Sequence, residues 1–211
     1  ISAFAGGFFG VDVFFVISGF LITGKLWRES QQPGGLNITK FYAWRIRRLL
    51  PAALVAVAVI TLVGLLLAAP LDRSDLAADC AASALSLANM RFIGAVDYFA
   101  PTSSPSPFLH FWSLSVEEQF YLVVPLLLGA AWKIGKRRGI LITLAVIAAG
   151  STISAALLTP TEPIWAYYLL PTRAYGLAAG GLLALLETRA LASNTLRRIP
   201  LAPIGLTMIA A

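Results

Sequence analysis

Long apolar runs are the feature that most constrains this sequence. Five stretches hold few charges and approach about 20 residues, the length that an α-helix needs to cross the hydrocarbon core of a bilayer. Of all residues, 58% are hydrophobic and 12% are charged, whereas soluble domains carry about 25% charged residues. These values exclude a soluble globular enzyme and a disordered chain. The sequence therefore predicts an all-α, polytopic transmembrane helix bundle.

Charged and turn-forming segments separate the apolar stretches. The predicted spans are residues 8–27, 49–69, 111–132, 140–159 and 164–186, and a sixth begins near Leu201. Residues 76–93 form a weaker stretch that is rich in Ala and Ser and contains Asp79, Asn89 and Arg91. This stretch spans the membrane, lies in the interface or re-enters it. The sequence therefore predicts about five to seven spans.

Basic residues cluster in three segments, residues 25–48, 133–138 and 189–198. If residues 76–93 do not cross, all three clusters fall on one side of the membrane, which the positive-inside rule assigns to the cytoplasm. If they do cross, the cluster at residues 133–138 falls on the opposite side, against that rule. We therefore expect three cytoplasmic basic loops, with residues 69–110 and 160–163 facing outward.

Polar residues inside spans are energetically costly, so they are the candidate functional residues. Ser113, Glu117 and Tyr121 recur every four residues and share one helix face. His110 lies nearly on the same face if the helix reaches back that far. Lipid exposure would leave these groups without partners, so we expect the stripe to face the bundle interior. It forms either a polar site or a structural hydrogen-bond network.

Two more ionisable residues lie within predicted spans. Asp12 lies near the end of the first span, and Arg173 lies in the middle of the fifth. An arginine within a membrane usually pairs with a carboxylate. Three carboxylates are available to Arg173, namely Glu117, Glu118 and Asp12.

Arg45 and Arg48 are three residues apart in the basic stretch before the second span, so on a helix they share a face. Two guanidinium groups on one face suit a diphosphate, because each can donate paired, charge-assisted hydrogen bonds. The alternative is that the cluster only anchors the span at the membrane surface. One Cys and one His cannot build the usual zinc site, so no metal is expected.

Three sequence motifs resemble those of a known protein family. They are GVDVFFVISGFLIT at residues 10–23, FYAWRIRRLLP at residues 41–51 and HFWSLSVEEQFY at residues 110–121, with shorter similarities at residues 97–99 and 173–181. Together they resemble the acyltransferase-3 family of bacterial membrane acyltransferases, which includes the O-acetyltransferases of peptidoglycan and O-antigen. The resemblance runs through the chain, so residues 1–211 are interpreted as part of one membrane acyltransferase domain, without a separate soluble domain.

The resemblance implies transfer of an acyl group, expected to be acetyl, from acyl-CoA to a cell-envelope glycan at the bacterial cytoplasmic membrane. Arg45 and Arg48 match the positions implicated in acyl-CoA handling. The catalytic candidates are Ser113, Glu117 and Tyr121, with Asp12 and His110 as further members.

The resemblance also places the family's catalytic histidine in a span that would precede Ile1. His110 matches a different position, so the fragment alone is expected to be inactive. The alternatives are a transporter of an anionic or sugar substrate and a purely structural membrane fragment. We expect no nucleic acid partner, and the sequence leaves the oligomeric state open.

Overall fold

The computed structural model describes residues 7–33, 35–67, 73–95 and 106–190, and within them every regular element is an α-helix. These are α1 Gly7–Ser30, α2 Ile38–Leu67, α3 Arg73–Ala84, α4 Ala88–Ala95, α5 Phe111–Leu158, α6 Pro163–Tyr168 and α7 Leu170–Ala190. Four segments are long and apolar enough to cross a membrane: Gly10–Ser30, Ile38–Leu66, Phe111–Leu158 and Pro163–Leu186. The prediction of an all-α, multi-pass membrane bundle is confirmed. The sixth span near Leu201, residues 97–99 and the basic residues 191–198 lie outside the described residues.

The longest helix, α5, contains two of the predicted spans. Lys136 has φ 49° and ψ −133°, values that do not occur within a regular helix. A Cβ added at Gly139 would lie 2.2 Å from the carbonyl oxygen of Ala131, although eight residues of straight helix cover about 12 Å. The chain therefore reverses at Lys136, and the predicted spans 111–132 and 140–159 lie in its two antiparallel arms, residues 111–135 and 137–158.

The tightest contact in the bundle joins α1 and α7, which run parallel. A Cβ added at Gly19 would lie 1.8 Å from the carbonyl oxygen of Leu177, and one at Gly180 would lie 1.9 Å from that of Val16. The two backbones therefore touch directly, and only glycine fits at these two positions. This contact fixes the position of α1 relative to the rest of the bundle.

The second helix begins earlier than its predicted span. The side chain of Asn37 accepts a hydrogen bond of 2.9 Å from the backbone N–H of Lys40, which caps the start of α2. The prediction that residues 25–48 form a basic loop was therefore wrong, because most of these residues lie in the last turns of α1 and the first turns of α2. Residues 133–138 likewise continue α5 around its turn. We call the end of the bundle that holds these two connections the basic end.

Residues 76–93 form two short helices at the opposite end. Helix α3 has 12 residues and α4 has 8, fewer than the about 20 that a crossing needs. Ser86, in the connection between them, has φ 57°. Because α4 packs on the first turns of α5, this pair of helices covers the end of the bundle remote from the basic end.

The fifth predicted span is interrupted at Leu169, where φ −78° and ψ 140° are extended values. The carbonyl groups near this break find partners outside the helix. Tyr167 accepts a hydrogen bond of 3.0 Å from Nε of Arg173, and Tyr168 accepts one of 3.1 Å from the amide of Asn89. The predicted span over residues 164–186 is confirmed in position, but two helices, α6 and α7, form it. The side chains of Arg173 and Asn89 satisfy the backbone where it is interrupted.

Candidate active site

A cavity of about 1090 Å³ lies between α1, α2 and the first arm of α5. Lys25, Arg28 and Arg48 line it near the basic end, and Glu117 and Glu118 line it deeper in the bundle. Aliphatic side chains of α2 line one side of the remaining wall. The cavity therefore connects a cationic opening to two carboxylates through an apolar passage.

Glu117 is the centre of a small polar group. The phenol of Tyr121 donates a hydrogen bond to the carboxylate of Glu117, one helical turn away on α5. Ser18 of α1 lies within side-chain hydrogen-bonding reach of both residues. Two residues of the predicted stripe, Glu117 and Tyr121, are therefore brought together at the cavity wall, with Ser18 as a third member from another helix.

Arg45 is buried beside this group, with 7% of its surface exposed. Its guanidinium pairs with Glu118, with Nη2 at 2.9 Å from Oε1 and Nε at 3.4 Å from Oε2. The guanidinium carbon also lies 3.4 Å from the ring centroid of Tyr121, a favourable cation–π geometry. Arg45 therefore links α2 to α5 through a carboxylate that the sequence analysis had not paired with it.

Arg48 has a different environment. It is exposed, and its guanidinium carbon lies 5.1 Å from the ring centroid of Trp44. Among the described residues, no carboxylate lies within ion-pair distance of Arg48. Arg45 and Arg48 line the same cavity, but one is neutralised and the other is available. Their joint capture of a diphosphate stays a prediction.

Ser113 and His110 are predicted site residues that do not line the cavity. The hydroxyl of Ser113 donates a hydrogen bond of 3.3 Å to the carbonyl of His110 on its own chain segment. His110 is exposed and lies just before the first residue of α5. The structure shows no hydrogen bond from either residue to Glu117, and their catalytic roles stay predictions.

Asp12 and Arg173 form a separate ion pair outside the cavity. Oδ1 of Asp12 lies 3.4 Å from Nη1 of Arg173 and accepts a hydrogen bond of 3.3 Å from the phenol of Tyr175. The guanidinium carbon of Arg173 also lies 4.6 Å from the ring centroid of Tyr167. Of the three carboxylates considered for Arg173, the structure selects Asp12. This pair joins α1 to α7, and a catalytic role for Asp12 stays a prediction.

The sequence analysis did not identify the pairing of a buried amide, Asn89, with a partly buried one, Gln119. Asn89 of α4 donates a hydrogen bond of 3.4 Å to Gln119 of α5, and Gln119 donates one of 2.8 Å to Asn89 and another of 3.0 Å to the carbonyl of Ser86. Because Ser86 also lines the large cavity, this pair fixes the α3–α4 connection over its inner end. The sequence signal that could have indicated this pairing is the presence of an amide side chain in each of two otherwise apolar stretches.

Comparison with known proteins identifies a matching family and several similar proteins. The family model described as an acyltransferase domain matches residues 1–211. The chain is 38% identical over 185 residues to the peptidoglycan O-acetyltransferase OatA of Listeria monocytogenes, which covers 85% of this chain and 29% of that protein. It is 38% identical over 144 residues to the O-acetyltransferase OatA of Staphylococcus aureus, which covers 68% of this chain and 24% of that protein. The chain thus spans about a third or less of the length of these relatives. No solved structure shows significant similarity to it.

Proposed function

Because the chain belongs to the acyltransferase-3 family, we propose that it is part of a membrane-bound O-acyltransferase. The enzyme moves an acyl group, expected to be acetyl, from acyl-CoA to a hydroxyl group of a cell-envelope glycan. The observation that supports this most strongly is the cavity that connects free cations at one end to the Glu117–Tyr121–Ser18 group in its interior. The relatives named as peptidoglycan O-acetyltransferases support peptidoglycan as the acceptor.

In the proposed reaction, the acyl group moves from the thioester sulfur of the donor to a hydroxyl oxygen of the acceptor. The glycan hydroxyl oxygen bonds to the thioester carbonyl carbon, and the carbon–sulfur bond breaks. A base takes the hydroxyl proton, and the sulfur leaves as free CoA thiol after it receives a proton. The family resemblance implies a histidine as the base. Glu117 orients this histidine and balances its charge, as a carboxylate does for the imidazole of a catalytic triad. Tyr121 and Ser18 hold the carboxylate in place.

The cavity gives the donor a path to this centre. The phosphates of acyl-CoA carry several negative charges, so they bind at the basic end, where Arg48 has no carboxylate partner. The thioester arm extends between α1 and α2 toward Glu117. Arg45 lines this path, and through its contacts with Glu118 and Tyr121 it holds the inner wall. In this orientation the basic end faces the cytoplasm, where acyl-CoA is available.

A comparison of two glutamine variants tests the proposal. The full-length protein, purified and reconstituted, is given radiolabelled acetyl-CoA and a soluble peptidoglycan fragment, and both thiol release and label transfer are measured. Glu117→Gln is expected to lower the transfer rate by at least 100-fold, while its melting temperature stays close to that of the wild-type protein. Glu162→Gln is the matched control, because Glu162 is exposed and lies outside the cavity, and it should retain full activity.

Two results would contradict the proposal. The first is a wild-type protein that releases no thiol from acetyl-CoA in the presence of the acceptor, as expected of a transporter. The second is a folded Glu117→Gln variant with wild-type turnover, which would reduce the Glu117 group to a structural network.

A further inference from the structure

A second, smaller cavity of about 320 Å³ lies at the basic end, between the last turns of α1 and the first turns of α2. Its basic residues are Lys25, Arg28 and Lys40, and its one acidic residue is Glu29. The small cavity therefore carries a net positive charge. The sequence analysis used the basic segment that contains these cations to assign the cytoplasmic side, and it assigned Lys25, Arg28 and Lys40 no ligand.

The part of the chain that the structure describes provides no ion-pair partner for the cations of the small cavity. Among the described residues, no carboxylate oxygen lies within 4.0 Å of the side-chain nitrogens of Lys25, Arg28 or Lys40. By contrast, two arginines inside the bundle have carboxylate partners, since Arg45 pairs with Glu118 and Arg173 pairs with Asp12. A ligand with more than one negative charge would supply the missing compensation.

Aromatic side chains hold part of this charge in position. Nζ of Lys25 lies 2.6 Å from the ring centroid of Trp44 and 5.9 Å from that of Phe41. Arg48 approaches the same tryptophan at 5.1 Å. These cation–π contacts restrict the lysine and arginine side chains before any ligand arrives, so less conformational entropy is lost on binding.

The small cavity adjoins the large one. Lys25, Arg28 and Trp44 line both cavities, so a ligand in the small cavity has direct access to the passage that leads to Glu117. An anionic lipid headgroup would match the charge, but it would have no need of that passage. A nucleotide that carries an acyl arm uses both features.

We infer that the small cavity binds the phosphate-bearing nucleotide of the acyl donor through Lys25, Arg28 and Lys40, an inference that rests on the proposed function. The acyl arm of the donor then enters the large cavity beside Arg48. The main contacts with the donor phosphates are thereby assigned to the last turns of α1 and the first turn of α2, and not to Arg45.

The test measures nucleotide binding separately from catalysis. Adenosine 3′,5′-bisphosphate, which has no acyl arm, is titrated into the full-length protein by calorimetry. The Lys25→Gln/Lys40→Gln double variant is expected to bind it at least tenfold more weakly. In the transfer assay, the same variant is expected to show a similar rise in KM for acetyl-CoA and a kcat within twofold of wild type. Lys40→Gln alone changes an exposed side chain, and a threefold or greater loss of affinity is expected.

Lys133→Gln/Arg138→Gln is the matched control, because both residues are exposed at the basic end and line neither cavity. It removes the same charge and should leave bisphosphate affinity unchanged. Equal losses in the control and test variants would overturn the inference, as would unchanged affinity in both test variants. Displacement of the bisphosphate by phosphatidylglycerol in nanodiscs, with no effect of acetyl-CoA, would overturn it in favour of a lipid headgroup. Acetyl-CoA-dependent transfer by the wild-type protein would uphold the proposed function under each of these outcomes.

Discussion

The guanidinium of Arg45 lies against the ring of Tyr121, with 3.4 Å between the guanidinium carbon and the ring centroid. The hydroxyl of Tyr121 also donates a hydrogen bond to the carboxylate of Glu117. The phenol is therefore held between a cation from α2 and a carboxylate from its own helix. Because Arg45 also pairs with Glu118, one side chain of α2 determines the position of three residues on α5.

The pairing of Arg45 with Glu118 is expected to stabilise the fold. Arg45→Met removes the cation and leaves Glu118, which is 37% exposed, without its partner, so we expect a loss of about 1–3 kcal/mol. Thermal unfolding in detergent measures this loss. In Arg45→Met/Glu118→Gln the loss should be smaller than the sum of the two single losses. Arg47→Met, at an exposed neighbouring position, is the control. Additive losses would show that the two side chains are not coupled.

Swapping the charges of Asp12 and Arg173 is expected to destabilise the protein less than reversing either charge alone. Asp12→Arg and Arg173→Asp each place like charges together between α1 and α7, so each should lower the melting temperature. Asp12→Arg/Arg173→Asp restores an attractive pair and should recover part of the loss. Because the two side chains are 36% and 17% exposed, we expect the coupling to be about 1 kcal/mol. A double variant less stable than both single variants would contradict a direct pair.

Because α1 and α7 touch directly, one methyl group added at their contact is expected to destabilise the protein. Gly19→Ala places a Cβ against the carbonyl of Leu177, so the helices must separate, and we expect a loss of about 1–3 kcal/mol. Gly150→Ala is the control, because no atom lies within 4 Å of the added Cβ. That helical position should gain about 0.5–1 kcal/mol. Similar melting temperatures for the two alanine variants would refute the contact.

A glycine at the turn between the two arms of α5 is expected to stabilise the protein. Lys136 has φ 49°, a conformation that costs a non-glycine residue about 1 kcal/mol or more. Lys136→Gly relieves this strain, and we expect an increase in the free energy of unfolding. Lys133→Gly removes the same charge from a helical position and should decrease stability by about 0.5–1 kcal/mol. Lower stability of Lys136→Gly than of Lys133→Gly would contradict the strained turn.

The approximate positions of the spans that the structure describes could be predicted from the sequence, because the thickness of a bilayer sets the length of an apolar run. The start of α2 and the break at Leu169 could not. Both depend on partners for backbone groups, which Asn37 supplies locally and Arg173 and Asn89 supply from other parts of the chain. Hydropathy contains no information about such hydrogen bonds.

The candidate site was predictable only in part. The spacing of Glu117 and Tyr121 placed them on one face, as the structure confirms. The partners of Arg45 and Arg173 could not be chosen from the sequence, because they depend on which helices pack together. Adjacent residues of a helix point about 100° apart, which is why Glu117 and Glu118 face different neighbours despite their identical chemistry.

Asp12, Ser18 and Lys25 follow one another along α1. The seven residues from Ser18 to Lys25 correspond to about 10 Å along the helix axis. Because both residues lie within one continuous helix, their separation is fixed by the geometry of α1, and the contact of Gly19 and Gly180 fixes the position of α1 against α7. Under the proposed function, a donor whose thioester lies closer than this to its phosphates could not reach both positions at once. The helix would then select donors by the length of the arm that connects thioester and phosphates, independently of the chemistry at either end.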